Sequence, residues 1–124
     1  MAPPNVDYSL YLVTDSTPAI LGDQDLVQVV KGAVEGGMPD SHARSAYAHT
    51  HVHAGVTIVQ YRDKTSDTAD LVRIAKQLHA VIKAANVPLL INDRIDVALA
   101  AGVEGVHVGQ DDLIANTVAV TTTI

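Results

Sequence analysis

The sequence predicts an α/β protein built on a parallel β-sheet, and three observations support this fold class. Short runs rich in Val, Ile and Leu alternate with longer segments whose apolar residues recur at helical spacing. Runs that are apolar on both faces suit strands of a parallel sheet covered by helices. Polar residues follow three of the four strand segments, and parallel α/β proteins place their functional sites at those strand ends.

The composition narrows the class of protein. The chain has 124 residues, enough for one domain, and a hydrophobic content of 48% argues against a disordered chain. A net charge of −6 disfavours nucleic-acid binding, and no apolar run approaches the roughly 20 residues that cross a bilayer. The absence of cysteine excludes disulfides and thiolate sites. With an N-terminus that lacks a secretory signal pattern, these features predict a cytoplasmic protein without nucleic-acid or membrane partners.

The first βα unit begins with YSLYLVTDS (8–16), a β-prone run that stops at a polar turn and predicts a strand. DQDLVQVVKGAVEGG (23–37) predicts a helix that stops at Gly36 and Gly37. The expected apolar face of this helix comprises Leu26, Val29, Val30, Ala33 and Val34.

Three strands and two helices follow in alternation. The strand segments are GVTIVQYRDK (55–64), PLLIND (88–93) and EGVHVGQDD (104–112). SDTADLVRIAKQLHAVIKAANVP (66–88) predicts the longest helix, capped by Ser66 or Asp67, and RIDVALAAG (94–102) predicts a short one. The long helix has an apolar face of Leu71, Ile74, Ala75, Leu78, Val81 and Ile82.

This order leaves two parallel architectures open, a doubly wound sheet and an eight-fold β/α barrel, because both place the site at the carboxyl ends of the strands. The first strand lacks a glycine-rich dinucleotide fingerprint, which weakens the doubly wound alternative. Two stretches fit neither. Residues 38–55 separate a helix from a strand where two to six residues are usual, and predict an unstructured insert. Residues 113–124 lack the expected fourth helix.

The second strand segment ends in charged residues. Side chains alternate along a strand, so Gln60, Arg62 and Lys64 should share one face, with Tyr61 and Asp63 on the other. An arginine fork, a lysine charge and an amide donor suit a diphosphate. The alternative is a solvated strand end with a surface ion pair.

The next two strands end in residues with oxygen-bearing side chains, Asn92–Asp93 and Asp111–Asp112. If these strands are neighbours, about 4.8 Å apart, their carboxylates can approach one cation, and oxygen ligands suit Mg²⁺. Gln110 and Asp112 should share a face. Helix capping by these residues is the alternative.

The histidines are weaker candidates. His49, His51 and His53 could put three imidazoles on one strand face for zinc, but no fourth ligand is indicated, and a solvated segment is favoured. His79 and His107 are expected to be packing or surface residues.

Together, YLVTDS, GVTIVQYRDK, LLINDRIDVALAAG and EGVHVGQDD resemble the first half of thiamine-phosphate synthase, over residues 8–37 and 55–112. QYRDKTSDT and INDRIDVALAAG are similar to the synthase domain of the fungal bifunctional enzyme. The resemblance implies a (β/α)8 (TIM) barrel and the condensation of hydroxymethylpyrimidine diphosphate with hydroxyethylthiazole phosphate. It also implies that Gln60, Arg62, Lys64 and Asn92 hold the diphosphate, that Gln110 lines the site, and that Asp93 and Asp112 bind Mg²⁺.

The departures from this family set further expectations. The chain supplies about four of eight βα units, so we expect a partial barrel: one truncated domain over 1–124, with barrel units at 8–37 and 56–112, an insert at 38–55 and a divergent tail at 113–124. We expect impaired synthase activity and self-association. The alternatives are a non-catalytic half barrel that binds pyrophosphate–Mg²⁺ or a partner chain and, more weakly, a thiazole tautomerase.

Overall fold

A four-stranded parallel sheet organises the chain in the computed structural model, which describes residues 6–36 and 55–109. The strands are β1 (Tyr11–Val13), β2 (Ile58–Tyr61), β3 (Leu89–Asn92) and β4 (Gly105–His107). They lie side by side in chain order, and each is parallel to the next. Such an order is that of a barrel wall, whereas a doubly wound sheet reverses its strand order at a switch point. The predicted parallel α/β class with about four βα units is confirmed.

Four helices connect the strands among the described residues: α1 (Pro18–Leu21), α2 (Leu26–Val34), α3 (Thr68–Lys83) and α4 (Ile95–Ala101). The single turn α1 was not predicted. The carboxylate of Asp25 caps α2 by accepting from the backbone N–H groups of Val27 and Gln28. Asp67, rather than Ser66, caps α3, because its carboxylate accepts from the Asp70 N–H at 2.9 Å.

The core lies between the helices and one face of the sheet. Its strand residues include Val59, Tyr61, Leu89, Ile91 and Val106. The helices contribute buried residues at helical spacing, namely Val30, Leu71, Ala75, Leu78, Ile82, Ile95, Val97 and Ala98. One predicted core residue differs: Val29 is 38% exposed, because it lies roughly 100° around α2 from the centre of the buried stripe. Val27 packs against the core in its place.

The chain on either side of the predicted insert meets at the end of α2. The Val56 N–H donates to the Ala33 carbonyl at 3.0 Å. A Cβ on Gly55 would lie 2.2 Å from the Val34 oxygen and 2.7 Å from the Gly36 nitrogen, so only glycine fits there. Gly55 thus packs directly against the turn that ends α2. The rest of the predicted insert and the tail lie outside the described residues.

In residues 6–36 and 55–109, none of the helices has the length and apolar character needed to cross a membrane.

Candidate functional site

Three polar side chains on the sheet face opposite the helices join the start of β1 to the carboxyl halves of β2 and β3. The Asn92 Nδ2 donates to the Gln60 Oε1 at 2.8 Å, and the Gln60 Nε2 donates to the Tyr11 hydroxyl oxygen at 2.5 Å. Gln60 is only 3% exposed, and its neighbour Tyr61 points the opposite way into the helix-side core. The alternation along β2 predicts this division. The hydrogen bonds hold both amides in fixed orientations.

A second pair lies beside this network. The Lys64 Nζ is 3.5 Å from the Asp93 Oδ2, with 50% and 34% of the two side chains exposed. Lys64 follows β2 and Asp93 follows β3, so the parallel register of neighbouring strands brings them to the same edge. The structure therefore places a cation and an acid, both candidates from the sequence, within reach of one ligand.

Arg62 is exposed beyond the end of β2. Its backbone N–H donates to the Thr14 Oγ1 at 3.0 Å, which ties it to the segment after β1. Hydrogen bonds from Thr17 lower the pKa of Asp15, and the positive charge of Arg62 adds to that effect. The Arg62 backbone is thus tied to the segment after β1, whereas the Lys64 side chain reaches Asp93 after β3.

The backbone at Asp93 is strained. Its φ is +68°, in the left-handed region that L-residues other than Asn and Asp seldom adopt. The Arg94 N–H donates to the Asn92 carbonyl at 2.7 Å and closes a γ-turn around Asp93, and the Asp93 N–H donates to the His107 carbonyl at 2.8 Å. Strain of this kind persists at functional sites when the surrounding structure enforces it.

Two buried oxygens near the strand ends have no hydrogen-bond partner within the described ranges, the Asn92 Oδ1 and the Ser16 Oγ. A buried acceptor without a partner costs about 1–3 kcal/mol. A cation or a ligand N–H would satisfy the Asn92 Oδ1, whereas a phosphate oxygen would not. The donor set around Asn92 and Asp93, an amide oxygen and a carboxylate, is the oxygen chemistry that Mg²⁺ prefers.

Asp63 organises the loop between β2 and α3. Its Oδ1 accepts from the Thr65 N–H at 3.0 Å and hydroxyl at 3.2 Å, and from the Ser66 N–H at 3.0 Å. Its Oδ2 accepts from the Ser66 hydroxyl at 2.7 Å and from the buried Tyr61 hydroxyl at 3.1 Å. Burial would raise the pKa of Asp63, but the hydrogen bonds from Ser66, Thr65 and Tyr61 outweigh it and lower the pKa to about 2. Burial, followed by the Asp63 charge, raises the pKa of Tyr61.

Arg94 is engaged within the protein. Its Nε and Nη2 donate to the two carboxylate oxygens of Asp96 at 3.0 and 2.8 Å, and its Nη2 donates to the Thr68 hydroxyl at 2.8 Å. The hydrogen bond to Asp96 is the main cause that raises the pKa of Arg94, and the same bond lowers the pKa of Asp96. Arg94 thus ties the start of α4 to the start of α3 at the rim of the site.

Sequence reasoning missed Tyr11 and Asp63. The alternation along β1 offered a signal for Tyr11, but its partner depends on the register with β2. The sequence predicts that Asp63 shares a face with Tyr61 but indicates no role for it, because its contacts depend on the path of an irregular loop.

Several sequence candidates stay predictions, because the structure does not describe them. Gln110, Asp112 and the run of His49, His51 and His53 lie outside the described residues. Residues 6–36 and 55–109 contain no group of three or more His, Asp or Glu side chains arranged to hold a metal.

The two described histidines are also separate from the network. The His79 Nε2 lies 2.8 Å from the Glu104 Oε1, at the amino ends of β3 and β4 and thus opposite the site. His107 contributes its backbone carbonyl to the Asp93 turn.

Comparison with known proteins identifies the family. A family model for thiamine monophosphate synthase matches residues 10–123. The chain is 45% identical over 108 residues to a thiamine biosynthetic bifunctional enzyme of Saccharomyces cerevisiae, covering 87% of this chain and 16% of the relative. It is 39% identical over 109 residues to a thiamine-phosphate synthase of Clostridium acetobutylicum, covering 88% of this chain and 42% of the relative.

A comparison with a solved structure supports the same family. The thiamine phosphate pyrophosphorylase from Pyrococcus furiosus superposes with a TM-score of 0.63 at 28% identity, over 85% of this chain and 41% of that one. The chain therefore spans less than half the length of these relatives. The resemblance read from the strand-end motifs is confirmed: the chain belongs to the thiamine monophosphate synthase family.

Proposed function

We propose that the chain acts in thiamine biosynthesis as a thiamine-phosphate synthase-type transferase. The reaction would join hydroxymethylpyrimidine diphosphate to hydroxyethylthiazole phosphate, giving thiamine phosphate and pyrophosphate. The observation that carries this proposal is the cluster at the ends of β2 and β3, where the Gln60–Asn92 amide pair lies beside Lys64 and Asp93 in a member of this family.

The proposed roles follow the chemistry of each side chain. Arg62 and Lys64 would neutralise the diphosphate, and the amide nitrogens of Gln60 and Asn92 each have a second hydrogen to donate to it. Asp93 and Asp112 would hold Mg²⁺, and Gln110 would line the site. Mg²⁺, when bound, supplies positive charge against the diphosphate oxygens.

The chemistry needs no protein nucleophile. The bond between the pyrimidine methylene carbon and the diphosphate oxygen breaks, and its electron pair leaves with pyrophosphate. The thiazole ring nitrogen then donates its lone pair to that carbon. The protein would contribute fixed positive charge and donors where negative charge develops, as at Lys64 and Gln60. No catalytic residue is proposed.

A second candidate is a site that binds pyrophosphate–Mg²⁺ without condensing the two substrates. The two contacts in this cluster favour it, because the Gln60–Asn92 and Lys64–Asp93 pairs already join the ends of two neighbouring strands within the described residues. Self-association and a cytoplasmic location stay predictions.

Isothermal titration of the full chain with pyrophosphate in the presence of Mg²⁺ tests the proposed site. Lys64→Ala should weaken binding roughly tenfold or more, as expected for losing a charge-assisted contact. Lys76→Ala is the matched control, since Lys76 is exposed on α3, and it should leave the affinity unchanged. Equal affinities for the two variants would refute the assignment of Lys64.

An assay for thiamine phosphate with both substrates then separates the two candidates. Pyrophosphate binding with product formation supports the synthase, whereas binding without product supports the second candidate.

A further inference from the structure

The loop between β2 and α3 contains two of the residues that we propose bind the diphosphate. Neither of them belongs to a strand or a helix. β2 ends at Tyr61 and α3 begins at Thr68, so Arg62 and Lys64 lie on irregular backbone. A mobile loop would have to be ordered when the ligand binds, and that ordering would weaken binding. Contacts that order this loop before the diphosphate binds should therefore increase the affinity for it.

Asp63 lies between the two ligands and has the contacts to fix the loop. Both of its carboxylate oxygens are engaged, by the backbone and hydroxyl groups of Thr65 and Ser66 and by the Tyr61 hydroxyl. Tyr61 is only 2% exposed, so it connects the loop to the core. A carboxylate that remains ionised is an acceptor on every side and can hold all these donors together.

Asp63 is not itself suited to contact a diphosphate. Its oxygens already accept hydrogen bonds, and its negative charge would repel the phosphate oxygens. Its side chain reaches Tyr61, whereas the neighbouring Lys64 reaches Asp93 across the site. Asp63 can therefore affect a bound diphosphate only indirectly, by fixing the backbone conformation of the loop that contains Arg62 and Lys64.

We propose that Asp63 is a positioning residue, which fixes the loop of residues 62–66 so that Arg62 and Lys64 are preorganised for a diphosphate ligand. The inference rests on the proposed function for the identity of the ligand. The claim that Asp63 orders the loop does not depend on the proposed function.

The test compares Asp63→Ala and Asp63→Asn with Glu104→Ala in the full chain. Glu104 is a matched control, because its carboxylate also holds a backbone N–H and a side chain, those of Leu89 and His79, but at the opposite end of the sheet. All affinities for pyrophosphate with Mg²⁺ are measured below the unfolding transition of each variant. Asp63→Ala should weaken binding roughly tenfold, Asp63→Asn less, and Glu104→Ala less than twofold.

A second readout needs no ligand. Amide hydrogen exchange at Thr65 and Ser66 should accelerate at least tenfold in Asp63→Ala, while exchange at Asp70, whose N–H is held by Asp67, stays unchanged. Should wild-type protein bind no pyrophosphate, the proposed function fails and exchange alone decides whether Asp63 orders the loop. Unchanged exchange at Thr65 and Ser66, or equal affinity losses in Asp63→Ala and Glu104→Ala, would overturn the inference.

Discussion

Asp93 combines a carboxylate that the proposed function requires with a positive φ that glycine adopts more readily than aspartate does. The γ-turn and the positive φ of +68° are enforced by hydrogen bonds from the Asp93 and Arg94 N–H groups. An enforced outlier next to a candidate ligand cluster supports a functional reason for the residue. Glycine at this position should therefore weaken binding while it relieves the backbone strain.

Replacing Asp93 by glycine or alanine separates the two effects. Both variants lose the carboxylate and should lose Mg²⁺-dependent pyrophosphate binding. Only glycine relieves the strain, so Asp93→Gly should be more stable than Asp93→Ala by about 1 kcal/mol in urea unfolding. Equal stabilities would show that the turn at Asp93 is unstrained.

The charge of Asp63 makes a pH-dependent contribution to stability. Its pKa in the folded protein is about 2, below the ordinary value of 3.8, so the contribution is complete above about pH 5 and is lost as the pH falls through 2. Allowing for solvent screening, it is on the order of 1 kcal/mol. The difference in unfolding free energy between wild type and Asp63→Asn should shrink by this amount between pH 5 and 2. A constant difference would contradict the assignment.

At the scale of elements, hydrophobic periodicity was sufficient for every strand and for the three longer helices. The caps depended on finer geometry, since Ser66 and Asp67 are both good capping residues and only the side-chain path selects Asp67. Val29 failed as a core prediction because a nine-residue helix tolerates an apolar residue on its flank. The turn α1 has no periodicity to detect in four residues.

The contact of Gly55 with the end of α2 gives a prediction for the segment between them. Deleting residues 38–55 brings Gly37 to the position that Gly55 holds, and the Ala33–Val56 hydrogen bond can form as before. The deletion shortens a loop, so the melting temperature in circular dichroism should stay the same or rise. A lost cooperative transition would show that the segment supports the fold.

Gly55→Ala is the complementary variant. Its Cβ would lie 2.2 Å from the Val34 carbonyl oxygen, and relief requires moving the backbone at the end of α2. The free energy of unfolding should fall by about 1–3 kcal/mol. An unchanged value would contradict the close approach.

At the scale of the whole molecule, the two ends of the sheet differ: one end carries the candidate site, and the other carries contacts that hold the fold together. The carboxyl end carries the Gln60–Asn92 network and the Lys64–Asp93 pair, while the amino end is held by Glu104, which joins His79 of α3 to the first N–H of β3. Strand order alone predicts that residues 60, 64, 92 and 93 gather at one end. The same reasoning could not find Glu104, because its partners are set by helix packing.

Glu104→Ala should reduce stability without affecting binding. It leaves the Leu89 N–H without its acceptor and His79 without its partner, which should lower the unfolding free energy by about 1–3 kcal/mol. Asp70→Ala is the control, since it removes the exposed ion pair with Arg73 and one acidic charge from the first turn of α3, and it should cost less than about 1 kcal/mol. Similar losses for the two variants would refute a stabilising role for Glu104.

The strained turn at Asp93 also has a consequence for the history of the sequence. The codons for aspartate and glycine differ by one nucleotide, so mutation regularly offers this position a residue that fits the backbone better. If the carboxylate holds Mg²⁺ as proposed, selection for binding would keep aspartate in place. Relatives that lack the proposed diphosphate binding should then carry glycine at this position more often than other substitutions.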